Sequence, residues 1–546
     1  MVDIGTLNFR WSQVMIAGFC AAGVRHAVIS PGSRSTPLAL AMLRQAGMTC
    51  EIVIDERSAA FLALGIAKSS RRPVILLATS GTAPANWFPA VIEANQSNVP
   101  LILLSADRPP ELQDCGANQT INQTNLFGSQ VRASHLIGLP EDNFNPNYLY
   151  RLAAQAYEQS CWPLPGPVHI NQAFREPLLP SAELPSLTLP KKIQITRSSV
   201  SATAIDLSEL AQQISGKPGF IICGELPENS VFATAVTELA AKLGCPIFAE
   251  PLSGLRFGEH DQHHLLVRYN HWLSKADQID FPEAAWIIRF GAFPVTRHLQ
   301  NLISEEVPIH VLVEPHPGWI DPANQLTEII RADPVSACQA LLNTVTGPCP
   351  DELMATYRRY EMDSKIASQT ANQTISTAWH IRPMIEAANI GTTFFIGNSL
   401  AIRNLDSDSG SGTKQLRFYG NRGASGIDGN IATAVGLAIT HGQVIALVGD
   451  LTAQHDLGSL ALAQGRDIVL VVINNAGGGI FDYLPQASLP EFELAWRTPQ
   501  KINFKHAALT FGLEYAQCDS ATQLSEALTQ AQTAGGPHLI EVLVGR

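Results

Sequence analysis

The feature that most constrains this chain is an alternation repeated three times: short runs rich in β-branched residues, separated by stretches with apolar residues at helical spacing. Parallel strands need a crossover of a dozen or more residues, and that crossover is usually a helix. The pattern therefore predicts an α/β chain of three doubly wound parallel-sheet domains, bounded at 1–185, 186–350 and 351–546. In the first, strands are expected at His26–Ser30, Glu51–Asp55, Pro73–Thr79, Pro100–Ala106 and Pro167–Asn171. In the second they are expected at Gly219–Gly224, Pro246–Glu250, Ala285–Phe290 and Ile309–Glu314. In the third they are expected at Thr393–Gly397, Gln415–Tyr419, Val444–Gly449, Ile468–Asn474 and His538–Val544. A connector rich in Pro, Ser and Leu, Glu176–Ser201, reads as a surface linker between the first two.

The densest chemistry lies in GDLTAQHDLGSLALAQGRDIVLVVINNAGGGIF, residues 449–481. A strand ends at Gly449-Asp450, a helix is expected over Asp456–Gln464, and the next strand runs into Asn474-Asn475. A right-handed crossover brings the two strands close together and sets Asp450 and Asn475 at their carboxyl ends, where open α/β sheets bind ligands. A carboxylate, an amide oxygen and a carbonyl freed by the glycine run Gly477–Gly479 suit a hard divalent cation. Magnesium takes about six oxygens and draws some of them from bound phosphate. The competing reading is an ordinary strand end, where Asp and Asn are common turn residues.

Other loops carry candidate groups. Glu56 follows a predicted strand and opens a helix expected over Arg57–Ser69. The stretch Ser30–Pro37 joins a strand to a helix and holds Ser33 and Arg34, whose guanidinium suits a carboxylate. Arg108 stands in SADRPP, Asn118 and Gln119 in CGANQTI, Ser399 and Arg403 in NSLAIR, and Arg422 and Ile427 in NRGASGIDG. Each has a plainer reading: a solvated arginine, a helix N-terminal acid, or a core isoleucine.

Together these strings resemble the thiamine-diphosphate enzymes. More narrowly they resemble the 2-succinyl-5-enolpyruvyl-6-hydroxy-3-cyclohexene-1-carboxylate synthase family of menaquinone and phylloquinone biosynthesis. SPGSRSTPLAL, DERSAAFLALG, SADRPPEL, CGANQTI, NRGASGIDG, GDLTAQHDLGSLAL and NNAGGGIF occur in that order from residue 30 to 481. The resemblance implies the three-domain fold of that enzyme type, with a pyrimidine-binding, a central and a diphosphate-binding domain. It implies thiamine diphosphate with Mg2+, for which Mn2+ can substitute, and 2-oxoglutarate and isochorismate as substrates. It implies decarboxylation of the first and addition of the resulting carbanion equivalent to the second.

On this resemblance Glu56 is the cofactor-activating acid, and Asp450, Asn475 and the Gly477 carbonyl are the metal ligands. Gly449, Ile427, Ile480 and Phe481 also line the cofactor. Ser33, Arg34, Arg108, Asn118, Gln119, Arg297, Ser399, Arg403, Arg422 and Leu484 meet substrate. The cofactor is expected between subunits of a homodimer or tetramer. Two departures stand out: Leu451 replaces the third residue of a GDG motif, and Arg297-His298 replaces two adjacent basic residues. A related carboligase such as an acetohydroxyacid synthase, or a binding protein that kept the fold, is the alternative.

Composition excludes other classes. Thirty-six basic residues against forty-eight acidic give a net charge of −12, which argues against a nucleic-acid groove. No apolar run reaches the ~20 residues that span a bilayer, and Met1–Arg10 lacks a signal pattern, so a cytoplasmic protein is expected. Nine cysteines without a CxxC pair read as reduced thiols. The histidine run Gly258–His264 is expected to be a solvated loop, and Gly410–Lys414 a mobile linker without the P-loop order. The middle domain has no GxGxxG after a strand and is expected to be structural or an interface.

Overall fold

The structure is a computed structural model that describes residues 3–181, 189–227, 229–275, 282–371 and 378–545. Three six-stranded sheets follow one another along the chain, and every strand pair is parallel. The first contains β1 (His26–Ile29), β2 (Thr49–Ile52), β3 (Val74–Ala78), β4 (Leu101–Asp107), β5 (Ala133–Ile137) and β6 (Pro167–Ala173) in the order β2-β1-β3-β4-β6-β5. The second contains β7 (Gly219–Cys223), β8 (Ile247–Ala249), β9 (Leu265–Leu266), β10 (Trp286–Phe290), β11 (Ile309–Val313) and β12 (Glu328–Ile330), ordered β12-β11-β10-β7-β8-β9. The third contains β13 (Thr393–Ile396), β14 (Arg417–Gly420), β15 (Val444–Gly449), β16 (Ile468–Asn474), β17 (Glu514–Cys518) and β18 (Pro537–Leu543), ordered β14-β13-β15-β16-β18-β17. The order reverses in the middle of each sheet, as a doubly wound fold requires, and the central strands are buried along almost their whole length.

The sequence pattern missed β5, β9, β12 and β17, all of them edge strands. Edge strands bury less: β5 and β17 are half-buried or exposed at all but their last residue, and β9 has only two residues. Two boundaries also move. β2 covers Thr49–Ile52 rather than Glu51–Asp55, because Asp55 leaves the strand to cap the next helix, its carboxylate accepting from the Arg57 amide at 2.9 Å. The helix expected over Asp456–Gln464 is instead an α-helix at Asp450–His455 followed by 3-10 turns at Leu457–Ala463. Asp456 breaks the path because its carboxylate turns to cap another helix, accepting from the Ile431 and Ala432 amides at 2.8 and 3.1 Å.

That capped helix, Asn430–His441, crosses the helix Glu56–Ser70 and joins the two outer domains. A Cβ on Gly65 would lie 2.1 Å from the Thr433 carbonyl oxygen, and one on Gly436 would lie 2.3 Å from that of Leu62. Only glycine lets the two backbones approach so closely. Around the crossing, Phe61, Leu62 and Ile66 share one apolar core with Ile431, Val435 and Phe395. A buried polar chain runs beside it: Ser58 Oγ meets Ser459 Oγ at 2.8 Å, and Ser459 Oγ donates to Asp456 at 2.6 Å.

The middle domain is tied to the third by a buried ion pair between Arg256 and Asp406, and Tyr269 donates its hydroxyl to the same carboxylate at 2.6 Å. The segment Gly410–Lys414 is not a free linker. Gly412 exchanges backbone hydrogen bonds with Arg256 and Gly258, and Lys414 Nζ donates to the carbonyls of Glu386 and Ala388 at the end of the helix Ile381–Ala387. Its carbonyls and its lysine meet structured partners that no local pattern announces. Of the connector Glu176–Ser201, residues 182–188 lie outside the described residues, and 189–201 form neither helix nor strand.

Candidate active site

Strand register in the third sheet decides which loops meet. Gly449 lies level with Ile473, so Asp450 and Asn475 leave adjacent strands within one residue of the same height. On the other side Ile396 is level with Leu447 and with Gly420, which brings Asn398, Ser399 and Arg422 to the same edge. Four neighbouring strand ends thus present an acid, two amides, a serine and an arginine along one rim.

Asp450 is buried in this rim. Its Oδ1 accepts from the Leu451 amide at 2.8 Å and its Oδ2 from the Gly477 amide at 2.7 Å. Burial raises its pKa, and those amides and the nearby Arg497 oppose the rise. Asn475 Oδ1 is buried and has no hydrogen-bond partner. An unsatisfied amide oxygen costs about 1–3 kcal/mol, so its persistence beside a buried carboxylate points to a missing electrophile. Gly477 has φ +121°, and a Cβ there would sit 2.2 Å from the Arg497 carbonyl oxygen. Its own carbonyl accepts from the Gly479 amide at 2.8 Å, which leaves one lone pair. The donor set is all oxygen, with one formal charge, and fits a hard divalent cation carrying a phosphate group.

Arg497 was not foreseen. It is buried; Nη2 donates to the Asn475 carbonyl and Nη1 to Asp482 at 2.6 Å, while its own carbonyl accepts from the Gly478 amide at 2.7 Å. It stands sixteen residues beyond the motif that ends at Phe481, in a run without pattern, so nothing local marked it. Gly449 precedes the first turn of the helix beginning at Asp450. Ile480 and Phe481 are half-buried and Leu484 is exposed, on short helical turns after Gly478. Ile427 is also exposed, which removes its reading as a core residue.

The arginines fall into two pairs. Arg403 and Arg422 lie close enough in the third domain for Arg422, after burial, to lower the Arg403 pKa. Arg403 donates to the Ser399 carbonyl at 2.8 Å, and Arg422 donates to Asn398 Oδ1 at 2.6 Å. Ser399 has φ +65° at the start of that helix. Arg34 and Arg108 form the second pair, at the carboxyl edge of the first sheet. Arg34 is buried and donates to the Phe174 carbonyl at 3.0 Å and to Glu176 at 2.8 Å. Arg108 donates to Ser80 and to the Gln119 carbonyl at 2.9 Å, and its pKa is lowered by burial and then by Arg34. Gln119 has φ +56° and donates to the Ser80 carbonyl at 3.1 Å; Ser33 and Asn118 are exposed nearby in sequence.

Arg297 is exposed at the start of a middle-domain helix, and Val295 two residues earlier packs into the core of the third domain. His298 has its pKa lowered by burial and then by Arg297. Glu56 opens its helix half-exposed, beside the exposed Ile54. Among the described residues no hydrogen bond or ion pair links Glu56 to the Asp450–Asn475 loop, or the first arginine pair to the second. The histidine run offers no metal site: His260 and His264 meet the carbonyls of Leu255 and Cys245.

Comparison with known proteins decides the family. Residues 9–126 match the model described as "Thiamine pyrophosphate enzyme, N-terminal TPP binding domain", and residues 410–542 match its C-terminal counterpart. A 2-succinyl-5-enolpyruvyl-6-hydroxy-3-cyclohexene-1-carboxylate synthase of Dechloromonas aromatica is 59% identical over 542 residues, covering 99% of both chains. The chain belongs to this synthase family. A synthase of the same name from Geobacillus thermodenitrificans is 37% identical, over 97% of this chain and 92% of that one. Benzoylformate decarboxylase from Polynucleobacter necessarius superposes with a TM-score of 0.73 over 98% of each chain at 18% identity, and so shares the fold. Both outer domains of this synthase-family chain are thiamine-pyrophosphate-binding domains, and the middle domain lies outside the two matches.

Proposed function

We propose that the chain joins 2-oxoglutarate to isochorismate with loss of carbon dioxide, using thiamine diphosphate and Mg2+, and forms 2-succinyl-5-enolpyruvyl-6-hydroxy-3-cyclohexene-1-carboxylate. The full-length identity of 59% to a synthase of that name carries this reading. When bound, thiamine diphosphate supplies a carbon that accepts the electron pair left by departing carbon dioxide. Asp450, the orphaned Asn475 Oδ1 and the Gly477 carbonyl hold the cation, which carries the diphosphate. Glu56 holds a proton against the aminopyrimidine ring nitrogen. Both substrates are dicarboxylates, and burying two carboxylates needs fixed cations, a role for Arg34, Arg108, Arg297, Arg403 and Arg422. Ser33, Asn118, Gln119 and Ser399 supply polar contacts beside them. Ile427, Ile480, Phe481 and Leu484 would form an apolar wall that limits access of water to the reacting carbon, which would favour carbon–carbon bond formation over protonation.

The site is completed by a second copy of the chain, with Glu56 of one chain facing the Asp450–Asn475 loop of another. Supporting this, Glu56 sits beside the exposed Ile52 and Ile54, while its own helix meets the third domain through Ser58 and Ser459 instead of through the cation loop. Mixing Glu56→Gln with Asp450→Ala tests it. Random dimers should regain about a quarter of wild-type activity, and none if each chain works alone. No described helix is long and apolar enough to cross a membrane, which is compatible with a cytoplasmic site of action.

The reaction itself is tested by measuring carbon dioxide release from 2-oxoglutarate with and without each of thiamine diphosphate, Mg2+ and isochorismate, and by identifying the product by mass. Turnover of pyruvate but not of the proposed pair would assign an acetohydroxyacid-synthase chemistry. Cofactor binding without carbon dioxide release would leave only a binding protein.

A further inference from the structure

One buried carboxylate outside the site described above makes an unusual contact. Glu93 belongs to the helix Phe88–Gln96 of the first domain and is 3% exposed. It accepts from three consecutive amides of the third domain: Gly423 at 2.9 Å, Ala424 at 2.6 Å and Ser425 at 3.3 Å. Lys68, also from the first domain, stands 3.7 Å from this carboxylate and donates to the Gly420 carbonyl. The loop they grip is the one that carries Arg422 and Ile427. From its inner side the same loop is held by Asn398, whose Nδ2 donates to the Asn421 and Gly426 carbonyls at 2.9 and 2.7 Å and whose Oδ1 accepts from Arg422.

A carboxylate facing three successive N–H groups is a directional clamp, since charge-assisted hydrogen bonds are roughly twice as strong as neutral ones. Glu93 grips the loop through its backbone amides, whereas the Arg422 guanidinium is met by Asn398. It fixes where the Arg422 Cα stands, and Asn398 then fixes the guanidinium. A misplacement of about 1 Å in such a group can cost about 100-fold.

We propose that Glu93, with Lys68 beside it, is a positioning residue for Arg422: the first domain of each chain sets the carboxylate-binding loop of its own third domain. This rests on the proposed function for its substrate, but not for its geometry.

The test has two readouts. In the protein without cofactor or substrate, hydrogen–deuterium exchange over residues 420–428 should rise at least tenfold in Glu93→Gln, while exchange in β15 and β16 stays unchanged. This holds whatever the enzyme acts on. In the assay with both substrates, Glu93→Gln should raise at least fivefold the KM of whichever substrate Arg422→Ala affects, with kcat changed less than twofold. In the Arg422→Ala background it should add nothing further. If Glu93→Gln does not fold, Lys68→Met gives the same exchange and KM pattern at smaller amplitude. Unchanged loop exchange, or a KM effect that persists undiminished without Arg422, overturns the proposal. Altered exchange in a protein that does not turn over the substrate pair would retain the clamp and reject the assigned reaction.

Discussion

The two arginine pairs occupy matching positions in the two outer domains, each after a strand at a carboxyl edge, yet only the first contains an arginine with an acidic partner. Arg34 arrives already paired: Glu176 lies 2.8 Å away on a side chain that is 70% exposed, and the Phe174 carbonyl takes another N–H. Arg403 and Arg422 meet only neutral acceptors, the Ser399 carbonyl and Asn398, and they repel one another. The nearest acids do not neutralise them. Burial and Asp406 push Glu250 up to about 8, so it carries a proton near neutral pH, and burial also raises the pKa of Glu225. One fold therefore makes one pair in which Arg34 is already ion-paired, and another in which both members meet only neutral acceptors.

The largest test of this contrast is truncation. Arg422→Ala or Arg403→Ala should lower kcat/KM by about 100-fold or more, because under the proposed function a substrate carboxylate would lose its uncompensated partner. Arg34→Ala should cost about tenfold, since Glu176 already offsets part of its charge. Equal losses measured by steady-state kinetics would break the distinction.

A second test uses pH. The folded pKa of Glu250 lies above the ordinary carboxyl value near 4.5, so its contribution to stability is full below that value and is lost as pH rises through about 8. Above that pH its ionised form also faces Arg422. Thermal midpoints should fall between about pH 4.5 and 8 and level off above that, KM should rise severalfold between pH 7 and 9, and Glu250→Gln should flatten both curves. The neighbours that set this behaviour are Asp406 and Arg256 as well as Arg422. A smaller effect is expected from Glu176→Gln, which frees Arg34 and should lower KM about two- to fivefold while steepening its salt dependence. The smallest belongs to His298, whose pKa is lowered by burial and then by Arg297. His298→Ala should change kcat/KM less than about threefold.

How much of this was legible in the sequence follows from which contacts are local. The central strands announce themselves as unbroken apolar runs such as Ile468–Asn474, and the Asp450/Asn475 pairing follows from one crossover. Edge strands such as Glu514–Cys518 lack that signal because one flank meets water. Arg497, Glu93, Lys68 and Glu176 went unseen for a different reason. Glu93, Lys68 and Glu176 each act on a loop from a distant part of the chain, across 330 positions for Glu93 and Gly423, where spacing carries no information, and Arg497 lies in a run without pattern. Asn398 stood beside the foreseen Ser399, but its function as a brace depends on Arg422 folding back toward it. Asp456 lay within the most informative motif and still misled, since its carboxylate caps a helix that precedes it.

The account depends above all on the buried, unpartnered oxygen of Asn475 beside Asp450 being a cation ligand. Equilibrium titration of thiamine diphosphate into the purified protein, with and without Mg2+, tests that directly in wild type and in Asn475→Leu. Wild type should bind only with Mg2+, and Asn475→Leu should keep its fold while losing at least tenfold of the Mg2+-dependent affinity. Equal binding with and without the metal, or an unaffected Asn475→Leu, would contradict the account.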